Sequence, residues 1–142
     1  MQTSTVYDCH ILVLNKIINN ESSITVVESN HNIPFSLRRI YYTYDVPGGE
    51  NRGGHAHKDL YQLIVAASGS FDVLLDDGIN KKIITLNRPN YGLLVVPGLW
   101  RELSEFSSGS ICLVMNSLKY YAADYIRDYN EFIEWKSLKN NF

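Results

Sequence analysis

Leu63-Ile-Val-Ala-Ala67, Ser68-Gly69-Ser70, Phe71-Asp-Val-Leu-Leu75 and Asp76-Asp77-Gly78 follow one another without a break. Each apolar run is too short for a helix and is closed by small polar residues and glycine, which is the signature of a strand and its turn. The pattern continues downstream through Lys82–Leu86, Gly92–Val96 and Ser110–Met115. Arg88-Pro89-Asn90, Pro97-Gly98 and Ser107-Ser108-Gly109 separate these runs and carry turn chemistry. Upstream lie Cys9–Asn15, Ser23–Glu28 and Ile40–Tyr44, the last reading Ile-Tyr-Tyr-Thr-Tyr; β-branched and aromatic residues suit a pleated, half-buried surface. Many short strands with Gly and Pro turns predict an all-β sandwich or barrel. The tail differs. Tyr121–Leu138 has no Gly or Pro, and Tyr125, Tyr129, Phe132 and Trp135 recur at helical spacing, which predicts one helix whose aromatic stripe packs on the core.

The chain has 142 residues, the size of one domain, and no repeat or linker divides it, so residues 1–142 are expected to form a single unit. Lysine and arginine number 13 against 15 acidic residues, a formal charge of −2. That balance excludes the basic footprint of a non-specific nucleic-acid binder and leaves room for a local pocket that takes a small anion. Cys9 and Cys112 are far apart and read as reduced, buried thiols. No apolar run approaches the length of about 20 residues that a membrane span needs. The start carries no basic segment followed by an apolar one, so a cytoplasmic protein is expected.

The chemistry is concentrated in Gly49-Glu-Asn-Arg52-Gly53-Gly54-His55-Ala56-His57-Lys58. Two histidines at i and i+2 of a strand share a face, so an inward-facing strand puts both imidazoles in one cavity. Histidine moves protons near neutral pH and is also the commonest metal ligand. Asp59 has the strand parity of the two histidines and is the nearby carboxylate that could pair with one.

Gly49, His55, His57 and Gly69 fit the first motif of the cupins, and Pro97-Gly98-Leu99-Trp100-Arg101 fits the second. The chain resembles that family with two ligand positions altered. The glutamate of a metal-binding cupin falls on Tyr61 or Gln62, and Arg101 stands where its last histidine would be. A guanidinium is not an ordinary metal ligand, so a catalytic metal is not expected. A narrower resemblance spans nearly the whole chain. Asn32-Ile-Pro-Phe-Ser-Leu-Arg-Arg-Ile-Tyr-Tyr42, Arg52-Gly-Gly-His-Ala-His-Lys58, Pro97-Gly-Leu-Trp100 and Tyr120-Tyr-Ala-Ala-Asp-Tyr-Ile-Arg-Asp-Tyr129 are similar, in that order, to the sugar 3,4-ketoisomerases that act on dTDP-4-keto-6-deoxyglucose.

That resemblance implies a cupin-type jelly roll or β-barrel with a short C-terminal helix. It also implies a homodimer that exchanges N-terminal strands, no cofactor, and a dTDP-linked 4-keto-6-deoxy sugar as substrate. The carbonyl would move from C4 to C3 through an enediol, giving a 3-keto sugar for 3-amino-3,6-dideoxyhexose biosynthesis and a surface glycan. By the same resemblance His55 is the carbon base, His57 holds the sugar or tunes His55, and Tyr41 relays a proton between the sugar oxygens. Alternation places Tyr41 and Tyr42 on opposite faces. Arg39 and Arg52 are candidates for the diphosphate, while Arg38, of opposite parity, faces solvent. Arg101 and Lys119 are further candidates for substrate contacts. The position of Arg101 and a loop position here held by Glu21 bear on the C4 configuration of the product. The alternatives are a nucleotide-sugar epimerase using a His–Asp59 pair, a non-catalytic sugar-nucleotide-binding cupin, and a metal-dependent enzyme with atypical ligands.

Overall fold

The computed structural model describes residues 3–140, apart from the side chain of Arg52. Twelve strands form among the described residues: β1 (His10–Val13), β2 (Lys16–Asn19), β3 (Ser22–Thr25), β4 (Arg39–Thr43), β5 (Arg52–His57), β6 (Gln62–Ser68), β7 (Phe71–Asp76), β8 (Lys81–Leu86), β9 (Tyr91–Val95), β10 (Trp100–Ser104), β11 (Ile111–Asn116) and β12 (Tyr125–Ile126). One antiparallel sheet runs β1-β9-β6-β11-β4 and a second runs β12-β5-β10-β7-β8. β2 and β3 make a separate hairpin that leaves Ile17, Ile18 and Ile24 exposed. The all-β expectation holds, in the sandwich form: the two sheets do not close into a barrel. The strands at their ends, β1 and β4 in one sheet and β12 and β8 in the other, keep an unpaired edge.

Alternation decides what lies between the sheets. Ile64 and Ala66 of β6 and Phe71, Val73 and Leu75 of β7 point inward with Leu86, Leu93, Cys112 and Val114 and form the main core. The intervening Leu63 and Val65 point to the other face of the first sheet, where Ile33 and Phe35 cover them. Both cysteines are buried thiols. Trp100, Ala56 and Ile126 face outward from the second sheet and take Phe132 of the helix. Gly54 allows this close approach, since a Cβ there would lie 2.6 Å from Trp100 Cζ2.

The tail corrects the sequence reading. The helix α1 spans Tyr129–Asn140 rather than starting at Tyr121. Ala122–Asp124 form a 3-10 turn, and Tyr125 and Ile126 pair with His57 and Ala56 as an edge strand. Asp128 supplies the start signal: its Oδ1 accepts from the backbone N–H of Asn130 and Glu131, an N-cap arrangement. Tyr125 therefore leaves the aromatic stripe and joins a different part of the molecule. No helix among the described residues is long and apolar enough to cross a membrane.

Candidate active site

At one end of the sandwich the inward positions turn from apolar to polar. From the first sheet come Arg39 and Tyr41 (β4), Gln62 (β6) and Asn116 (β11); from the second come His55 and His57 (β5), Arg101 (β10) and Tyr125 (β12). Register brings them together. Arg101 lies opposite His55 across β10 and β5, Asn116 lies opposite both Arg39 and Gln62, and Tyr125 lies opposite His57. Contacts between the sheets finish the cluster. Arg101 Nη2 donates to Tyr41 OH at 3.0 Å, and Arg39 Nη2 donates to Tyr125 OH at 2.9 Å.

The two imidazoles meet edge to face with ring centres 4.9 Å apart. Tyr125 packs on both, 4.3 Å from the His57 ring and 5.3 Å from that of His55. Arg127 lies over the outer face of Tyr125 at 4.3 Å, and Arg39 sits 5.4 Å from the rings of both Tyr41 and Tyr120. His57 is 5% exposed, and its Nδ1 lies 2.8 Å from Asp124 Oδ2. Burial pushes its pKa down; the bond to Asp124 opposes that shift and the Arg101 charge reinforces it. His55 is driven further, to about 2, first by burial, then by the charges of Arg101, His57 and Arg127, against a hydrogen bond to the Gly53 backbone. Both shifts favour the uncharged imidazole. His55 as a residue is half-buried, but its Nε2 is buried and has no partner.

Arg39 Nε, Arg101 Nε and Gln62 Oε1 are likewise buried without partners. Buried polar atoms are normally satisfied, so four orphans in one cluster mark a place built for a polar ligand. Arg101 is 3% exposed, and among the described residues it faces no carboxylate; the ion pair found there joins His57 to Asp124. A buried cation without a counter-ion is costly and suits an anionic ligand. A metal does not fit. The positions of two cupin ligands hold Arg101 and Gln62, and a fixed positive charge beside His55 repels a cation. A cavity of about 290 Å³ lined by Asn51, Asp72, Leu74, Ile83 and Glu102 lies elsewhere and has no histidine in its wall.

The structure thus brings together His55, His57, Tyr41, Arg39 and Arg101 of the sequence-predicted residues. Tyr41 is half-buried while Tyr42 is 60% exposed. Arg38 is exposed as expected. Lys119 is exposed and makes no side-chain hydrogen bond among the described residues, and the side chain of Arg52 lies outside them. Asp59 is the correction. It is exposed and pairs with neither histidine, because the chain turns after His57 and strand parity no longer applies. Its backbone N–H donates to Asp124 Oδ1 instead. Asp124, Gln62, Asn116 and Tyr125 were not identified from sequence. Asp124 and Tyr125 fall in a stretch whose spacing predicts helix, and in sequence Gln62 marks, with Tyr61, only the place of an absent glutamate.

Two antiparallel sheets with a His-x-His pair on an inner strand define a cupin-type protein. Residues 7–137 match the family described as FdtA: WxcM-like, C-terminal, and the chain belongs to that family. It is 45% identical over 122 residues, 86% of this chain and 88% of the relative, to a TDP-4-oxo-6-deoxy-alpha-D-glucose-3,4-oxoisomerase from Aneurinibacillus thermoaerophilus. The crystal structure of the WlaRB TDP-quinovose 3,4-ketoisomerase from Campylobacter jejuni is 43% identical, with a TM-score of 0.86 over 91% of this chain and 99% of that one. The sugar 3,4-ketoisomerase QdtA from Thermoanaerobacterium thermosaccharolyticum, in complex with TDP, is 33% identical with a TM-score of 0.91 over 95% and 98%. A QdtA variant has been crystallised with TDP-4-keto-6-deoxyglucose.

Proposed function

We propose that this chain is a TDP-sugar 3,4-ketoisomerase that converts TDP-4-keto-6-deoxyglucose into its 3-keto isomer. The observation that carries the reading is the buried, unpartnered Nε2 of a neutral His55 beside the Arg101–Tyr41 pair. His55 Nε2 takes the proton from C3 of the 4-ketone. The electron pair forms the enediol C=C bond, and the C4 carbonyl oxygen takes up negative charge. Arg101 stabilises that oxygen in a water-poor setting, where a fixed donor is worth most. The phenol of Tyr41 gives its proton to the C4 oxygen and receives the one on the C3 hydroxyl. The enediol then collapses to the C3 ketone as His55 returns its proton to C4. Atoms and charge balance with no redox partner.

A depressed pKa keeps His55 unprotonated in the empty site, and the price is weak basicity. The substrate's diphosphate, set against Arg39 and Arg52, offsets the cationic field and strengthens the base in the complex. Lys119 approaches the nucleoside from the rim. A 3-keto product is the substrate form for an aminotransferase that makes a 3-amino sugar. The chain works as one unit in the cytoplasm and as a homodimer with exchanged N-terminal strands. The exposed Ile17, Ile18 and Ile24 of the β2–β3 hairpin and Ile40, Tyr42 and Tyr44 near the β4 edge support an apolar dimer contact.

The test is incubation with TDP-4-keto-6-deoxyglucose in deuterated solvent, followed by NMR of the sugar. Appearance of the 3-ketone is expected, with deuterium at C4 only to the extent that the His55 proton exchanges with solvent before it is returned. Absence of a 3-keto product, or a His55→Asn variant of unchanged rate, refutes the mechanism; deuterium at C5 identifies an epimerase. Light scattering of the purified protein reads the dimer.

A further inference from the structure

A chain of buried hydrogen bonds leads from the backbone of β4 to His57, and its polarity can be followed atom by atom. Asn116 Nδ2 faces two carbonyl oxygens, Arg39 O at 3.3 Å and Val114 O at 3.4 Å. Carbonyls only accept, so this amide has one orientation and Asn116 Oδ1 is an acceptor. Gln62 Nε2 donates to that oxygen at 2.9 Å. The same Gln62 nitrogen stands 3.4 Å from His57 Nε2. An amide NH2 cannot accept, so His57 Nε2 presents its lone pair and the ring proton resides on Nδ1. The other end agrees, since Nδ1 faces Asp124 Oδ2 at 2.8 Å. Asp124 is itself held, because its Oδ1 accepts from the N–H of Asp59 and its carbonyl from the N–H of Lys58. Gln62, Asn116 and Asp124 are 1%, 0% and 3% exposed, so water does not compete for these bonds.

We propose that Asp124, Gln62 and Asn116 lock His57 as the neutral Nδ1–H tautomer, and that Asp124 is a positioning residue of the isomerase reaction. This rests on the ketoisomerase reading above. A locked His57 does not donate a proton to the substrate through Nε2. It stands as an uncharged wall, edge-on to His55 at 4.9 Å, and keeps a second cation away from the base. Losing the Asp124 carboxylate frees the ring to turn over its tautomer or to reorient, and His55 loses both its steric support and its defined electrostatic setting. The opposite face of Gln62 is left with an unpaired Oε1, so the lock also leaves a buried acceptor within the site.

Multiple-bond 1H–15N correlation spectra of the labelled wild-type protein, with His57 assigned by loss of its signals in His57→Gln, read the tautomer directly. A protonated Nδ1 and a lone-pair Nε2 are expected near neutral pH; a protonated Nε2 overturns the proposal. Asp124→Asn is expected to abolish the single Nδ1–H tautomer and to lower kcat at least about tenfold, with KM within about twofold. Asp124→Glu, which keeps the carboxylate, is expected to restore the tautomer and part of kcat. An Asp124→Asn protein with wild-type kcat overturns the positioning role. The wild-type spectrum needs no substrate. A chain that shows the tautomer but fails to convert the sugar therefore refutes the isomerase reading and leaves the lock standing.

Discussion

Acidification is expected to weaken the fold through the same imidazole that is proposed as the base. In the unfolded chain a histidine takes a proton with a pKa of about 6.5. In the folded chain His55 is held at about 2 by burial, and then by Arg101, His57 and Arg127. Between those two values the unfolded state binds more protons, so stability falls as the pH drops through this window. Near pH 5 the unfolded group lies about 1.5 units below its pKa, and at about 1.4 kcal/mol per unit this costs about 2 kcal/mol. His57 adds a loss of the same sign, because burial lowers its pKa and the bond to Asp124 only partly opposes the shift. Urea unfolding near pH 7.5 and near pH 5, followed by the fluorescence of Trp100 and Trp135, measures the difference. His55→Asn has no imidazole to protonate, so its acid-induced loss is expected to be about 2 kcal/mol smaller than that of the wild type. Equal losses in the two proteins would show that folded His55 already carries a proton near pH 5, and the neutral-base reasoning would fail.

Tyr41→Phe removes the hydroxyl that accepts from Arg101 Nη2; steady-state kinetics are expected to show kcat lower by about 10²-fold with a small change in KM. Gly54→Ala would set a methyl carbon 2.6 Å from Trp100 Cζ2. It is expected to cost about 1–3 kcal/mol in urea unfolding as the indole is pushed against the helix, with a shift in tryptophan emission. Lys136 is buried and its Nζ donates to Ser4 O and Gly98 O, each at 2.7 Å. Lys136→Met strands both carbonyls, and a loss of about 2 kcal/mol with a lower Tm is expected by calorimetry.

The strands legible in the sequence were those with a strong apolar run and a clear turn on each side. Phe71–Leu75 against the observed Phe71–Asp76 and Lys82–Leu86 against Lys81–Leu86 differ by a single residue. The sequence reading put no strand at β2, β10 or β12. Lys16–Asn19 is exposed throughout, Trp100–Ser104 has two adjacent charged residues, Arg101 and Glu102, and no apolar run, and Tyr125–Ile126 has two residues held by pairing with β5. The helical reading of Tyr121–Leu138 went wrong at its start because local spacing does not register an edge strand that another strand recruits.

What sequence could settle here is local. Period-two alternation put His55 and His57 on one face and Tyr41 opposite Tyr42, and turn chemistry divided the chain into strands. The partners of those side chains are set by pairings between distant segments. His57 meets Asp124 across 67 positions, Gln62 meets Asn116 across 54, and Arg101 meets Tyr41 across 60. Each depends on how sheets stack and which strands lie side by side, and no local pattern of residue types encodes that. Asp59, close in sequence, was the natural guess for the carboxylate beside an imidazole. The chain turned after His57, and a strand returning from the far end placed Asp124 there instead.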